Sequence, residues 1–172
     1  RRAYGLEDKF VIMYSGNIGL YYDLENLLRV IEAFKPGVRS SDGREVCFAF
    51  VGDGSVLPVL KKYAAGHAMT NVCFIPYQPK EELNYSLNAA DVHWVVNSKG
   101  IKGVSCPSKY YGCASCAKPV LGVLEKGSEI RLLIEETGGG LVSEPGDYAA
   151  IEANIRWFIE HADDEALRNM GR

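Results

Sequence analysis

Four turn-rich stretches carry the residue types that could hold a phosphorylated ligand. The first is Ser15-Gly16-Asn17-Ile18-Gly19. Its glycines would let the backbone approach a ligand, and a helix starting nearby would favour an anion, although a plain strand-to-helix turn needs glycine for its own geometry. The second, Gly52-Asp53-Gly54-Ser55, opens as G-x-G, but Leu57 stands at the third glycine position of a dinucleotide fingerprint. The stretch about 20 residues on, Asn71-Val72-Cys73, offers no acid for a ribose, so this stretch reads as a tight turn. The third, Pro76-Tyr77-Gln78-Pro79, is a stiff loop that would present a ring and an amide to a flat base, or would simply connect two elements. The fourth, residues 97–109, is long and glycine-bearing, as functional loops are. Pro107 suits a first helical turn, Ser105 and Ser108 suit a cap, and Lys99, Lys102 and Lys109 add positive charge, a set suited to a pyrophosphate.

The cysteines offer a second chemistry. Cys106, Cys113 and Cys116 form a C-x6-C-x2-C set, and a C-x2-C pair can be half a zinc site or a redox motif. A structural zinc site needs four ligands, whereas His67, His93 and His161 stand singly and far apart. The expectation is that these cysteines fill small-residue positions on a packed helix, and that Cys47 and Cys73, inside apolar runs, are core.

The elements that must position these loops follow from hydrophobic periodicity. Continuous apolar runs at 10–14, 46–51, 72–75, 92–96, 119–123 and 141–142 predict strands buried on both faces, as a helix-covered parallel sheet requires. Leu24, Leu27, Leu28, Ile31 and Phe34 recur at helical spacing, with Asp23 as N-cap and Pro36-Gly37 as terminator. Further helices are expected over 55–67, 80–88, 107–116, 129–137 and 148–161, with a last piece from Asp164. Repeated βα units predict an α/β, Rossmann-like doubly wound sheet, whose ligands collect beyond the carboxyl ends of the strands. Arg1-Arg2 precedes the first strand with no element of its own, and the abrupt ends read as a piece of something longer.

Composition excludes other classes. The 172 residues are 47% hydrophobic and 24% charged, one ordinary domain able to bury a core without disulfides or metal. A net charge of -3 with no basic block argues against nucleic acid. No window approaches 18 consecutive apolar residues, and the opening lacks a signal-peptide pattern, so a cytoplasmic location is expected, with at most peripheral contact with the membrane face.

The run GVSCPSKYYGCASCAKPVLGVLEKGSEIRLLIEETGGGLVSEPGD resembles the donor-binding half of family 4 (group 1) glycosyltransferases. Within that family it is similar to bacterial surface-polysaccharide members with a PSK-Y-G motif. MYSGNIGLYYDLENLL, FVGDGSVLPVLKKYA and VCFIPYQPKEELNYSLNAADVHWV extend the resemblance, in order, over nearly the whole chain. It implies the C-terminal half of a two-domain GT-B enzyme: residues 1–172 as one nucleotide-sugar (donor) binding domain, with the N-terminal acceptor domain outside this chain.

Carried onto this sequence, the resemblance assigns donor phosphate and sugar contacts to Gly16, Asn17, Gly19, Ser105, Ser108, Lys109 and Glu129, and Lys102 and Gly103 of the fourth stretch are expected to join them. It assigns the base to Pro76, Tyr77 and Gln78. The function implied is a retaining glycosyltransferase of hexosyltransferase type, passing a sugar from a nucleotide-sugar, UDP-linked by expectation, to a glycan or lipid-linked acceptor in polysaccharide biosynthesis. It needs no protein nucleophile, cofactor or metal, and this chain alone would bind but not turn over. Departures matter: many members carry two glutamates where Val104 and Gly112 stand, and an arginine and lysine where Leu20, Tyr21, Tyr22 and Asp23 stand. Lys102 or Lys109 is the expected substitute cation. Two alternatives stay open, a sugar-nucleotide epimerase of the same fold and a non-enzymatic nucleotide-binding or redox module built on Cys113 and Cys116.

Overall fold

Strands with no polar alternation must be covered on both faces, and the chain meets that demand by winding helices around a single sheet. A computed structural model describes residues 1–103, 107–170 and 172. In chain order the elements are β1 (Lys9–Ser15), α1 (Leu24–Ile31), β2 (Glu45–Val51), α2 (Leu57–Gly66), β3 (Val72–Ile75), α3 (Leu83–Asn88) and β4 (Val92–Val96). They continue as α4 (Lys109–Ser115), β5 (Val120–Val123), α5 (Glu129–Thr137), β6 (Gly140–Ser143), α6 (Tyr148–Glu160) and α7 (Glu165–Asn169). All strand pairs are parallel, in the order β3-β2-β1-β4-β5-β6, with Phe10 opposite Val46 and Ile12 opposite Val92. The winding direction reverses between β1 and β4, which opens the crevice beyond their carboxyl ends.

Alternate residues of β1 feed two cores. Phe10, Ile12 and Tyr14 pack with Leu28 and Ile31 of α1, Leu60 of α2, and Ile155 and Phe158 of α6. Val11 and Met13 face the other way, toward Cys47, Ala49 and Ile75. Further along that face, α4 and α5 cover Val95 and Val120 through Tyr110, Cys113, Ile130 and Ile134.

The six strands sit where the apolar runs put them, each within a residue at either end. Three local expectations are corrected. Arg1-Arg2 is not featureless: Arg2–Tyr4 forms a 3-10 turn ending at Gly5, and Arg1 pairs with Asp91 at 2.7 Å. The helix expected over 80–88 begins as a 3-10 turn, Lys80–Glu82, and the one expected from Pro107 starts at Lys109 and has seven residues. Asp23 does occupy the N-cap of α1, but its carboxylate takes no cap bond: it accepts from Asn26 Nδ2 at 2.8 Å and from the Tyr148 hydroxyl at 2.6 Å.

Candidate functional site

The first loop is built by its neighbour. The Gly16 amide donates to the Val51 carbonyl at 2.8 Å and the Ile18 amide to the Asp53 carbonyl at 2.9 Å, so the loops after β1 and β2 are zipped together. This explains Gly52 and Gly54: a Cβ on Gly52 would stand 2.0 Å from the Gly16 carbonyl oxygen, and one on Gly54 2.3 Å from that of Ile18. The G-x-G is thus a tight turn serving the first loop, as expected, while the Gly16 and Ile18 amides are already taken. Nor does the helix follow directly, since a 3-10 turn at Leu20–Tyr22 precedes α1.

The charge arrives from elsewhere. Lys109, the first residue of α4, lays its stem against Gly16, where a Cβ would approach Lys109 Cε to 2.3 Å. Its Nζ lies 4.2 Å from the centroid of the Tyr14 ring and 4.1 Å from that of Tyr22. It donates to the Tyr14 hydroxyl, which donates in turn to the Asn17 carbonyl. Burial lowers its pKa to about 8, because taking an ammonium out of water disfavours its charge. Of the two expected caps, the Ser108 side chain makes no cap bond. Ser105 lies outside the described residues, as does Cys106.

Two cavities open at the carboxyl ends of the strands. The first, about 240 Å³, is lined by Gly16, Tyr77, Gln78, Ser108 and Lys109 over an apolar floor that includes Trp94. Tyr77 is 73% exposed at its mouth, and Gln78 donates to the Pro76 carbonyl, which stiffens the loop. On the floor, the buried His93 shares a 2.9 Å bond with the Leu87 carbonyl through Nε2, and burial first of all holds its pKa down to about 4, leaving it a neutral tie between β4 and α3.

The second cavity, about 420 Å³, is lined by Lys102, Gly103, Glu125, Ser128 and Glu129. Lys102 is fixed there, its amide donating to the Glu125 carboxylate at 3.0 Å and its Nζ to the Lys126 carbonyl at 2.9 Å. The Ser128 hydroxyl is buried with no partner among the described residues. The expected site residues among those described therefore divide between two spaces, while Asn17, Gly19 and Pro76 line neither and shape the loops instead. Sequence reasoning missed Tyr14, Tyr22 and Ser128. In the sequence Tyr22 is only one of the four residues, Leu20 to Asp23, that stand where the resemblance places an arginine and a lysine.

Cys113 packs as a small core residue between α4 and the sheet. Burial, with a smaller contribution from nearby Cys116, pushes the Cys113 thiol up to about 12, the opposite of a reactive thiolate. Cys116 rests on Asn84 and Asn88 of α3. Among the described residues no group of three or more His, Cys, Asp or Glu could hold a metal ion.

Known proteins resemble this chain in sequence and in fold. WbjE, a glycosyltransferase by name from Pseudomonas aeruginosa, is 35% identical over 152 residues, or 88% of this chain and 36% of that protein. WcaI of Escherichia coli K12, named for colanic acid biosynthesis, is 30% identical over 151 residues, 87% of this chain and 35% of its own length. The chain thus spans about a third of these relatives. The Anabaena protein HepE, solved with UDP and glucose, superposes with a TM-score of 0.73 at 16% identity, over 97% of this chain and 43% of that one. That likeness shows the fold, the Rossmann-like half of a GT-B glycosyltransferase. The family model described as Glycosyl transferases group 1 matches residues 9–161, and the chain belongs to that family.

Proposed function

We propose that this domain holds the nucleotide-sugar donor of a retaining glycosyltransferase, a UDP-sugar, whose hexose is passed to a glycan or lipid-linked acceptor in polysaccharide assembly. The acceptor side and turnover are assigned to the remainder of a longer protein, and no resident cofactor is assigned to this domain. The observation that carries the reading is the cavity at the β1/β4 switch point, with an aromatic rim and a half-buried cation, together with a second cavity beyond β4 and β5 that is edged by Lys102, Glu125 and Glu129. The base would meet Tyr77 and Gln78, the diphosphate Gly16, Ser108 and Lys109, and the sugar Lys102, Gly103 and Glu129. When the bond from the anomeric carbon to the phosphate oxygen breaks, charge develops on the departing diphosphate, and a preorganised cation there lowers the barrier. HepE, solved with UDP-glucose, supports the donor class, and the naming of WcaI supports the setting.

A thermal-shift panel of UDP, GDP, ADP and NAD tests this. Ligand at about 100 times its dissociation constant adds roughly 2.7 kcal/mol, several degrees for a chain of this size. A selective rise with UDP is expected. A rise with NAD alone would overturn the reading, and a rise with GDP or ADP instead would replace the base.

A further inference from the structure

Lys109 is a half-buried cation that makes no ion pair among the described residues. An ammonium carries three N–H donors, and here one hydroxyl and two ring faces are what the described residues offer. The rings favour the cation without neutralising it, and the ammonium keeps donors to spare at a cavity wall. The clamp itself is fixed from several directions. Tyr14 belongs to β1, and its hydroxyl is aligned by the Asn17 carbonyl. Tyr22 precedes Asp23, which holds a left-handed backbone (φ 52°) and is bonded to Asn26 and to Tyr148 of α6. The Tyr21 carbonyl accepts from the Ser98 amide at 2.8 Å, tying the same turn to the end of β4.

We propose that Tyr14 and Tyr22 are positioning residues, which hold the ammonium of Lys109, the cation assigned above to the donor diphosphate, at the cavity wall. This rests on the donor-binding reading above. It carries a pH signature. With a pKa lowered to about 8, Lys109 loses its proton at mildly alkaline pH, and an arriving anion restores the charged form. Binding there takes up a proton and weakens as pH rises. Among the described residues, the titratable groups against Lys109 are Tyr14 from β1, Tyr22 from the 3-10 turn and Cys113 from α4, and His93 from β4 and Tyr77 from the β3–α3 loop line the same cavity. Burial pushes Tyr14 and Cys113 up and His93 down, so these three stay neutral from neutral to mildly alkaline pH.

The test is calorimetric titration of this chain with UDP, and separately with inorganic pyrophosphate, across neutral to alkaline pH in buffers of different ionisation enthalpy. Wild type should lose affinity above about pH 8 with linked proton uptake. K109M should bind about tenfold or more weakly at neutral pH, and K109R should bind with a flat profile, since arginine does not titrate there. Y22L should move the midpoint down by roughly half a unit to one unit while Y22F restores it, a pattern that general loosening would not give. K109M binding UDP as tightly as wild type, or a flat wild-type profile, would overturn the proposal while leaving the donor reading standing. Lys109-dependent binding of pyrophosphate without UDP would keep the anion site and remove the nucleotide reading, and binding of neither overturns both.

Discussion

At the scale of single residues, Lys109 sets function against stability. An ammonium whose folded pKa is about 8 against an ordinary 10.5 is more comfortable in the unfolded chain. The sign follows: below pH 8 both states hold the proton and the full penalty applies, and between about 8 and 10.5 the folded state has shed it, so the penalty fades. K109M is therefore expected to be more stable than wild type at pH 7, by about 1–3 kcal/mol, with the gap closing as pH rises. Urea denaturation at pH 7 and at pH 10 measures this, and a K109M protein less stable than wild type at pH 7 would contradict it. The sequence marked Lys109 as a candidate from its place at the positive end of a helix, but could not reveal its partner. Tyr14 is 95 positions away, and only the sheet brings the two together.

At the scale of elements, the first loop depends on the second. The loop after β1 is held by backbone bonds to Val51 and Asp53, and close approach is possible because Gly52 has no side chain and tolerates φ 137°. Gly52→Ala would place a methyl group 2.0 Å from a backbone oxygen that cannot rotate away. The variant should lose about 2–4 kcal/mol, and because relief must displace Gly16, UDP affinity should fall too. Chemical denaturation and calorimetry on the variant check both, and unchanged stability would show that the two loops are not coupled. The strands themselves were legible because an uninterrupted apolar run has no other stable setting in a chain this polar. The start of the short α4 was not: Pro107 marked a boundary, but the helix begins only at Lys109, with Ser108 at its N-cap position.

At the scale of the whole molecule, the two ends of the sheet do different work. At the amino ends of the strands Asp91 accepts from Arg1 at 2.7 Å, from Arg44 at 2.9 Å and from the Val11 amide at 2.8 Å, joining the opening segment to β1 and β4. At the carboxyl ends lie the two cavities assigned to the donor. Asp91→Asn should cost about 1–3 kcal/mol of stability while leaving UDP affinity unchanged, because the ion-pair cluster and the cavities lie at opposite ends of the sheet. Thermal denaturation read beside a UDP titration separates the two effects, and a change in affinity would mean that the ends communicate. By itself the sequence determined the wound parallel sheet, its strand boundaries and the loops that must edge the ligand crevice, since these follow from local periodicity and turn chemistry. Only the tertiary structure decided that those loops border two spaces, that the Gly16 and Ile18 amides serve a neighbouring loop, and that the cation comes from α4 to rest between Tyr14 and Tyr22. The reason is physical: secondary structure is set by residues a few positions apart, whereas a buried charge is set by whichever distant groups the fold packs around it.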